Sequence, residues 1–233
     1  MNIVVTGCSK GIGYELVKLL TENHKVYGIS RDLRKLKDLK SSLSNPKNFE
    51  FISEDISKIS LDSINNCIKS EMVDLLINNA GILVNKTFSK ISYEDYRSVM
   101  DVNFWGAFNL TQLLLNKLSK AKGQVINISS MGGINYSSKF PGLSLYSSSK
   151  AAVSVLTECL AVELEQFEIN VNAFALGAVQ TEMLNDAFPE YKANISSNEM
   201  ATFIVNFINS SKNLVNGQVF RIANSNPWVL IFS

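Results

Sequence analysis

Histidine and cysteine are scarce in this chain. Of 233 residues one is histidine, His24, and three are cysteines, Cys8, Cys67 and Cys159. A single imidazole makes a serine–histidine hydrolase or a histidine-ligated metal difficult to assemble. The cysteines are widely separated with no metal-ligand spacing, and fit isolated thiols in a reducing compartment. Charge of one sign is lacking as well. The 22 Lys and Arg against 21 Asp and Glu leave a net charge of +1, with no basic patch for nucleic acid and no charged tail. No apolar run approaches a membrane span, and strand-like residues begin directly after Met1, leaving no room for a targeting leader. The expectation is a cytoplasmic protein with no nucleic-acid and no membrane partner.

What is present is an apolar content of 46%, enough for a sizeable core. Short apolar runs at 2–6, 25–29, 49–53, 73–77, 124–129, 169–175 and 218–222 read as strands. Helical spacing fills most of the intervals, as with Ile12, Leu16, Leu19 and Leu20 after the first run. Strands this apolar are buried on both faces. The fold class is therefore α/β: a Rossmann-type doubly wound sheet of about seven parallel strands with helices on both faces. No linker or repeat interrupts the pattern, so residues 1–233 read as one domain, with an irregular, partly amphipathic segment at about 181–196. Right-handed crossovers bring the loops that follow the strands to one edge, where such sheets bind ligands.

The loop after the first strand is Gly7-Cys-Ser9-Lys10-Gly11-Ile12-Gly13. Glycines let the backbone turn and approach a ligand, and the helix N-terminus that follows suits a pyrophosphate. After the second strand come Ser30 and Arg31. An acid near this point would hold a ribose 2′-hydroxyl, whereas an Arg suits a 2′-phosphate. Arg31 and Lys10, with Asp32 placed to cap the next helix, favour NADP(H) over NAD(H). Asp55 follows the third strand, and Asn78-Asn79-Ala80-Gly81 the fourth. A long helical region is interrupted near Asn103. Ser130 ends the fifth strand, and Tyr146 and Lys150, four apart, share a helix face. A phenol needs a cation to act as an acid or base near neutrality, and Lys150 is that cation.

In these motifs, taken in order, the chain resembles the short-chain dehydrogenase/reductase family from residue 2 to about 222. The resemblance implies a catalytic set of Asn103, Ser130, Tyr146 and Lys150. Tyr146 would be the general acid in carbonyl reduction and the base in alcohol oxidation, with Ser130 orienting the substrate oxygen. Tyr146 and Lys150 would also bind the cofactor, Lys150 at the nicotinamide ribose; with the positive oxidised nicotinamide Lys150 would lower the Tyr146 pKa, and Asn103 would anchor a water leading to solvent. The cofactor would be held by the glycine loop, by Asp55 with Ile56 at the adenine, by Asn79, Ala80 and Gly81 at the adenosine and ribose, and by Val179 and Thr181 at the carboxamide. A homodimer or homotetramer, built through helices around 104–118 and 146–167, and a small, partly apolar carbonyl or alcohol substrate are expected. The rival is an NADP(H)-binding regulatory or scaffold protein without turnover.

The sequence departs from the family pattern in three places. The loop between Ser130 and Tyr146 is a few residues longer than usual. Leu176-Gly177 stands where Pro-Gly is common. An apolar tail, Asn224-Ser-Asn-Pro-Trp-Val-Leu-Ile-Phe232, replaces a glycine-rich ending and is expected to pack on a partner subunit.

Overall fold

The apolar runs form seven strands, and every pairing among them is parallel. In the computed structural model, which describes residues 1–211 and 214–224, these are β1 (Asn2–Thr6), β2 (Lys25–Ser30), β3 (Phe49–Ser53), β4 (Leu75–Asn78), β5 (Gln124–Ser130), β6 (Asn170–Leu176) and β7 (Val219–Ile222). They lie in the order β3-β2-β1-β4-β5-β6-β7. The order reverses between β1 and β4, which opens a crevice above the carboxyl ends of those two strands. The tail expected to pack on a partner lies, beyond Asn224, outside the described residues.

Side-chain alternation along β1 divides the core into two layers. Ile3 and Val5 face one side, where Leu16, Val17 and Leu20 of α1 (Gly11–Leu20), Leu36 and Leu39 of α2 (Leu33–Ser42) and Ile204 pack. Val4 faces the other. There it meets the layer of Ile64 from α3 (Leu61–Cys67), Leu110, Leu114 and Leu118 from α5 (Gly106–Ala121), and Ala161 from α6 (Ser144–Glu163). Each fully buried leucine or isoleucine contributes about 1.5–3 kcal/mol of transfer free energy, so both layers contribute to holding the helices on the sheet.

The interruption near Asn103 is a π-helical turn, Asp101–Trp105, set between α4 (Tyr93–Met100) and α5. Such a turn widens the helix by one residue and re-aims a side chain. The segment at 181–196 is more ordered than its sequence indicates. It opens with α7 (Glu182–Ala187), because Thr181 caps it by accepting from the Leu184 N–H at 3.2 Å. It then leads into α8 (Ser197–Ser211). The Gln180 side chain accepts from Ala193 N at 2.7 Å and its backbone carbonyl accepts from the Ser197 hydroxyl at 2.8 Å, which pins the base of the loop.

Candidate active site

The crevice is built from the ends of β1 and β4. The buried Thr6 hydroxyl accepts from Asn79 N at 3.0 Å and Ala80 N at 2.9 Å. Asn79 Nδ2 donates back to Thr6 O at 2.9 Å and Gly7 O at 3.2 Å. Gly7 sits at φ 67°, and a Cβ on it would lie 2.7 Å from Ala80 Cα, so only glycine fits this crossing. Lys10 stands at the N-cap of α1 without a capping side-chain bond, and the first turn of α1 carries no acid. By contrast α2, α3, α4 and α7 are capped by Asp32, Ser60, Ser92 and Thr181. The first N–H groups of α1 thus have no side-chain acceptor, which fits an anionic ligand.

At one end of the crevice Ser30 donates to Ser9 Oγ at 2.9 Å, and Arg31 lines the wall with Asp55 and Ile56. Asp32 accepts from Lys35 N at 3.0 Å as the helix cap expected of it, so no carboxylate directly after β2 is directed to a ribose. Burial pushes the Asp55 carboxyl up, yet the Ser57 N–H and hydroxyl, with Arg31 and Lys58 behind them, hold it below its ordinary value. It is therefore anionic at neutral pH. Lys10 lies 3.9 Å from Asp186, an exposed pair of little energetic weight.

At the other end stand Ser130, Tyr146 and Lys150, all on the crevice wall. Lys150 is only 4% exposed, and its ammonium donates to Ile128 O of β5 at 2.8 Å. Burial pulls its pKa from 10.5 down to about 8. Burial pushes the Tyr146 phenol above its ordinary value, and a hydrogen bond from Ser130 opposes that rise. Among the protein's own groups only Ser130 lowers the phenol; the lowering expected of Lys150 is tied to the positive oxidised nicotinamide beside it. The ammonium is bonded to a strand carbonyl and lies over the phenol ring, 5.9 Å from its centre. Tyr146 is thus a retained proton donor at neutral pH.

The crevice wall brings together Gly7, Ser9, Lys10, Gly11, Ile12, Arg31, Asp55, Ile56, Asn79, Ala80, Gly81, Ser130, Tyr146, Lys150 and Thr181. Three expected residues stand behind it. A Cβ on Gly13 would lie 2.4 Å from Gly7 O, so Gly13 lets α1 close on the loop. Val179 is 6% exposed and turns into the core beside α8. Asn103 is buried, with both amide N–H donors used: Nδ2 donates to Ile82 O at 3.0 Å and Ser149 Oγ at 2.9 Å, while Oδ1 accepts from Ile82 N at 2.8 Å. Its side chain is a clamp between the loop after β4 and α6.

Ile29, Ser30, Glu54, Ile82, Val102, Ile128, Ser129, Leu176, Gly177, Glu182 and Met183 also line the wall without an expected role at the cofactor or in the catalytic set. Most of them adjoin expected residues in sequence, which was the available signal. Of the apolar residues around the long loop and 181–196, Met183 reaches the wall and Ile134 and Leu143 are buried, while Tyr136, Phe140 and Tyr191 are exposed.

The depressed Lys150 pKa gives a stability prediction. Unfolded, the ammonium holds its proton to about 10.5; folded, it releases it at about 8. Between these values the unfolded chain binds more protons, so this group's destabilising effect is complete below about 8 and is relieved as pH rises toward 10.5. Urea unfolding of wild type and Lys150→Met should therefore show the variant gaining most at pH 7 and its relative gain shrinking by pH 10. A pH-independent difference would show that Lys150 keeps its ordinary pKa.

The comparisons agree with this geometry. The family model for short chain dehydrogenase matches residues 1–192. The 3-oxoacyl-[acyl-carrier-protein] reductase FabG of Chlamydia trachomatis serovar D is 31% identical over 193 residues, spanning 78% of this chain and 77% of the relative. The acetoacetyl-CoA reductase of Acinetobacter sp. (strain RA3849) is 35% identical over 189 residues, spanning 78% and 75%. Among solved structures, ElxO with NADP bound superposes with a TM-score of 0.81 at 28% identity, covering 95% of this chain and 96% of that one. The 3-oxoacyl-[acyl-carrier protein] reductase from Brucella melitensis ATCC 23457 superposes with a TM-score of 0.82 at 26% identity, covering 95% and 89%. With its ordered motifs on one crevice of a parallel sheet, and a family match over most of its length, the chain belongs to the short-chain dehydrogenase/reductase family.

Proposed function

We propose that this protein is an NADP(H)-dependent reductase that transfers hydride to a small, partly apolar ketone, with 3-oxoacyl thioesters as its leading substrate class. The observation that carries this reading is the single crevice that joins the Gly7–Gly13 loop to Ser130, Tyr146 and Lys150. The similarity to 3-oxoacyl and acetoacetyl-CoA reductases supports the thioester class. The bound cofactor supplies the hydride; the chain supplies placement and a proton. Ser130 donates a hydrogen bond to the oxygen on which charge develops, and Tyr146 delivers its proton there. Lys150 holds positive charge beneath the phenol as that proton leaves. Asp55 is placed for the adenine, and α1 with Lys10 for the phosphates.

The test is NADPH oxidation by the purified protein with acetoacetyl-CoA, alongside a panel of simple ketones, aldehydes and quinones. Turnover with the thioester at an efficiency above the panel supports the proposal. Turnover only with other carbonyls removes the thioester class and keeps the reductase. Tight NADPH binding with no turnover on any carbonyl moves the protein to the regulatory reading.

Cofactor choice is read separately. Because Asp32 is engaged as the cap of α2, Arg31→Ala should weaken NADPH binding by about 10- to 100-fold, the value of a charge-assisted hydrogen bond, and leave NADH within about twofold. Equal affinities that ignore the substitution would refute NADP(H) preference; fluorescence titration decides it. We also propose a homodimer or homotetramer through α5 and α6. Trp105 stacks on Phe108 at 5.6 Å while remaining 43% exposed, and Val155 and Val162 of α6 are 57% and 74% exposed.

A further inference from the structure

Three consecutive residues of β5 each hold a different part of α6. The Ile128 carbonyl accepts from the Lys150 ammonium at 2.8 Å. Ser130 hydrogen-bonds the Tyr146 phenol. Ser129, between them, alternates to the opposite side of the strand and is 2% exposed. Its hydroxyl lies 2.9 Å from the Lys150 backbone carbonyl and 2.8 Å from Ser154 Oγ. Ser154 Oγ itself lies 3.1 Å from the same carbonyl. Two buried hydroxyl protons therefore serve one carbonyl, one directly and the other either directly or through its neighbour. The strand grips Lys150 at both ends, by main chain and by ammonium.

On the other side of α6 a related device operates. Ser149 Oγ donates to the Tyr146 carbonyl at 2.7 Å and accepts from Asn103 Nδ2 at 2.9 Å. The carbonyls of Tyr146 and Lys150, one helical turn apart, are thus each held by serine hydroxyls tied to a different element. A Cβ on Gly133 would lie 2.6 Å from Ala151 N, so the chain also closes tightly on this same turn. In a close-packed interior such a turn has little room to shift when all its ties are made.

We infer that Ser129 and Ser154 are positioning residues that set the register of α6 on β5 and thereby place the Lys150 ammonium under the Tyr146 phenol. The inference rests on the reductase reading for its kinetic consequence and on geometry alone for its effect on Lys150. Removing both hydroxyls leaves the Lys150 carbonyl its helical bond only. The turn loosens, water reaches the ammonium, and the proton is held to higher pH. Misplacement of a catalytic pair by a fraction of an ångström lowers turnover without touching the nucleotide loop.

The experiment compares wild type, Ser129→Ala, Ser154→Ala and the double variant. It measures NADPH affinity, kcat and KM with the best carbonyl found, the basic limb of the pH–rate profile, and Lys150 titration by NMR of labelled lysine. Expected for the double variant are NADPH affinity within about twofold and a kcat loss of about tenfold or more. Its basic limb and Lys150 titration should rise from about 8 toward 10.5. Each single variant should fall between, because either hydroxyl can still reach the carbonyl. A double variant that keeps wild-type kcat and wild-type Lys150 titration, whatever happens to its melting temperature, overturns the inference. If wild type turns over no carbonyl, the reductase reading fails, while the Lys150 titration still decides the positioning role.

Discussion

Tyr146→Phe is expected to lower turnover by about a thousand-fold while leaving NADPH affinity within about twofold, the range of a lost general acid. The substitution removes one oxygen from a half-buried ring at the crevice wall and leaves the ring's packing and the Lys150 contact in place. Neither the glycine loop nor Asp55 touches it, so cofactor binding is a control for folding. The Lys150 ammonium keeps its bond to Ile128 O in the variant. Single-turnover kinetics with NADPH and the best carbonyl, beside a fluorescence titration, measure both quantities. A variant with more than a tenth of wild-type turnover would remove Tyr146 from the acid/base role. Unchanged biological activity in the same variant would favour the regulatory reading.

Gly13→Ala is expected to cost both stability and cofactor affinity. The added carbon would lie 2.4 Å from Gly7 O and 2.5 Å from Asn79 Nδ2, distances that neither group can yield easily. Gly7 O belongs to the turn that crosses Ala80, and Asn79 Nδ2 ties that turn to Thr6. Overpacking of this kind costs about 3 kcal/mol, and the gain in helix propensity of alanine over glycine returns about 1 kcal/mol. The net loss of about 2 kcal/mol corresponds to a melting temperature lower by roughly 4–8 °C in a chain of this size. NADPH affinity should fall by at least about tenfold, because the backbone that cradles an anion moves with Gly7. Thermal unfolding and titration test the two effects independently. A variant that melts and binds like wild type would show that α1 accommodates the methyl by sliding.

The two predictions differ in how they could be reached. Tyr146 is legible from the residue types themselves: a phenol and a lysine four apart at the start of a helix, downstream of a strand ending in Ser130. The cost at Gly13 is not, since its neighbour Asn79 belongs to another strand end, brought there only by the β1–β4 pairing. The sequence expectation included Gly13 among the residues at the ligand, and the fold adds that it lets α1 close on the loop. Asn103 shows the same contrast. The interruption of helical spacing was visible, but the amide's partners, Ile82 and Ser149, come from the loop after β4 and from α6.

Apolar runs of strand length, alternating with helical spacing, determined a parallel sheet covered by helices, because such strands must be buried on both faces. Chemistry-bearing residues after those strands determined where a ligand would lie. The segment at 181–196 was read as irregular because its helix is short, and the cap from Thr181 and the ties from Gln180 become visible only in three dimensions. Protonation belonged wholly to the tertiary structure. Sequence spacing set Lys150 beside Tyr146; burial pulls the lysine down to about 8 and, against a hydrogen bond from Ser130, leaves the phenol raised. A residue's type and spacing fix which groups can meet along one helix. Their solvation and their partners depend on what the rest of the chain packs around them, and pKa responds to that packing.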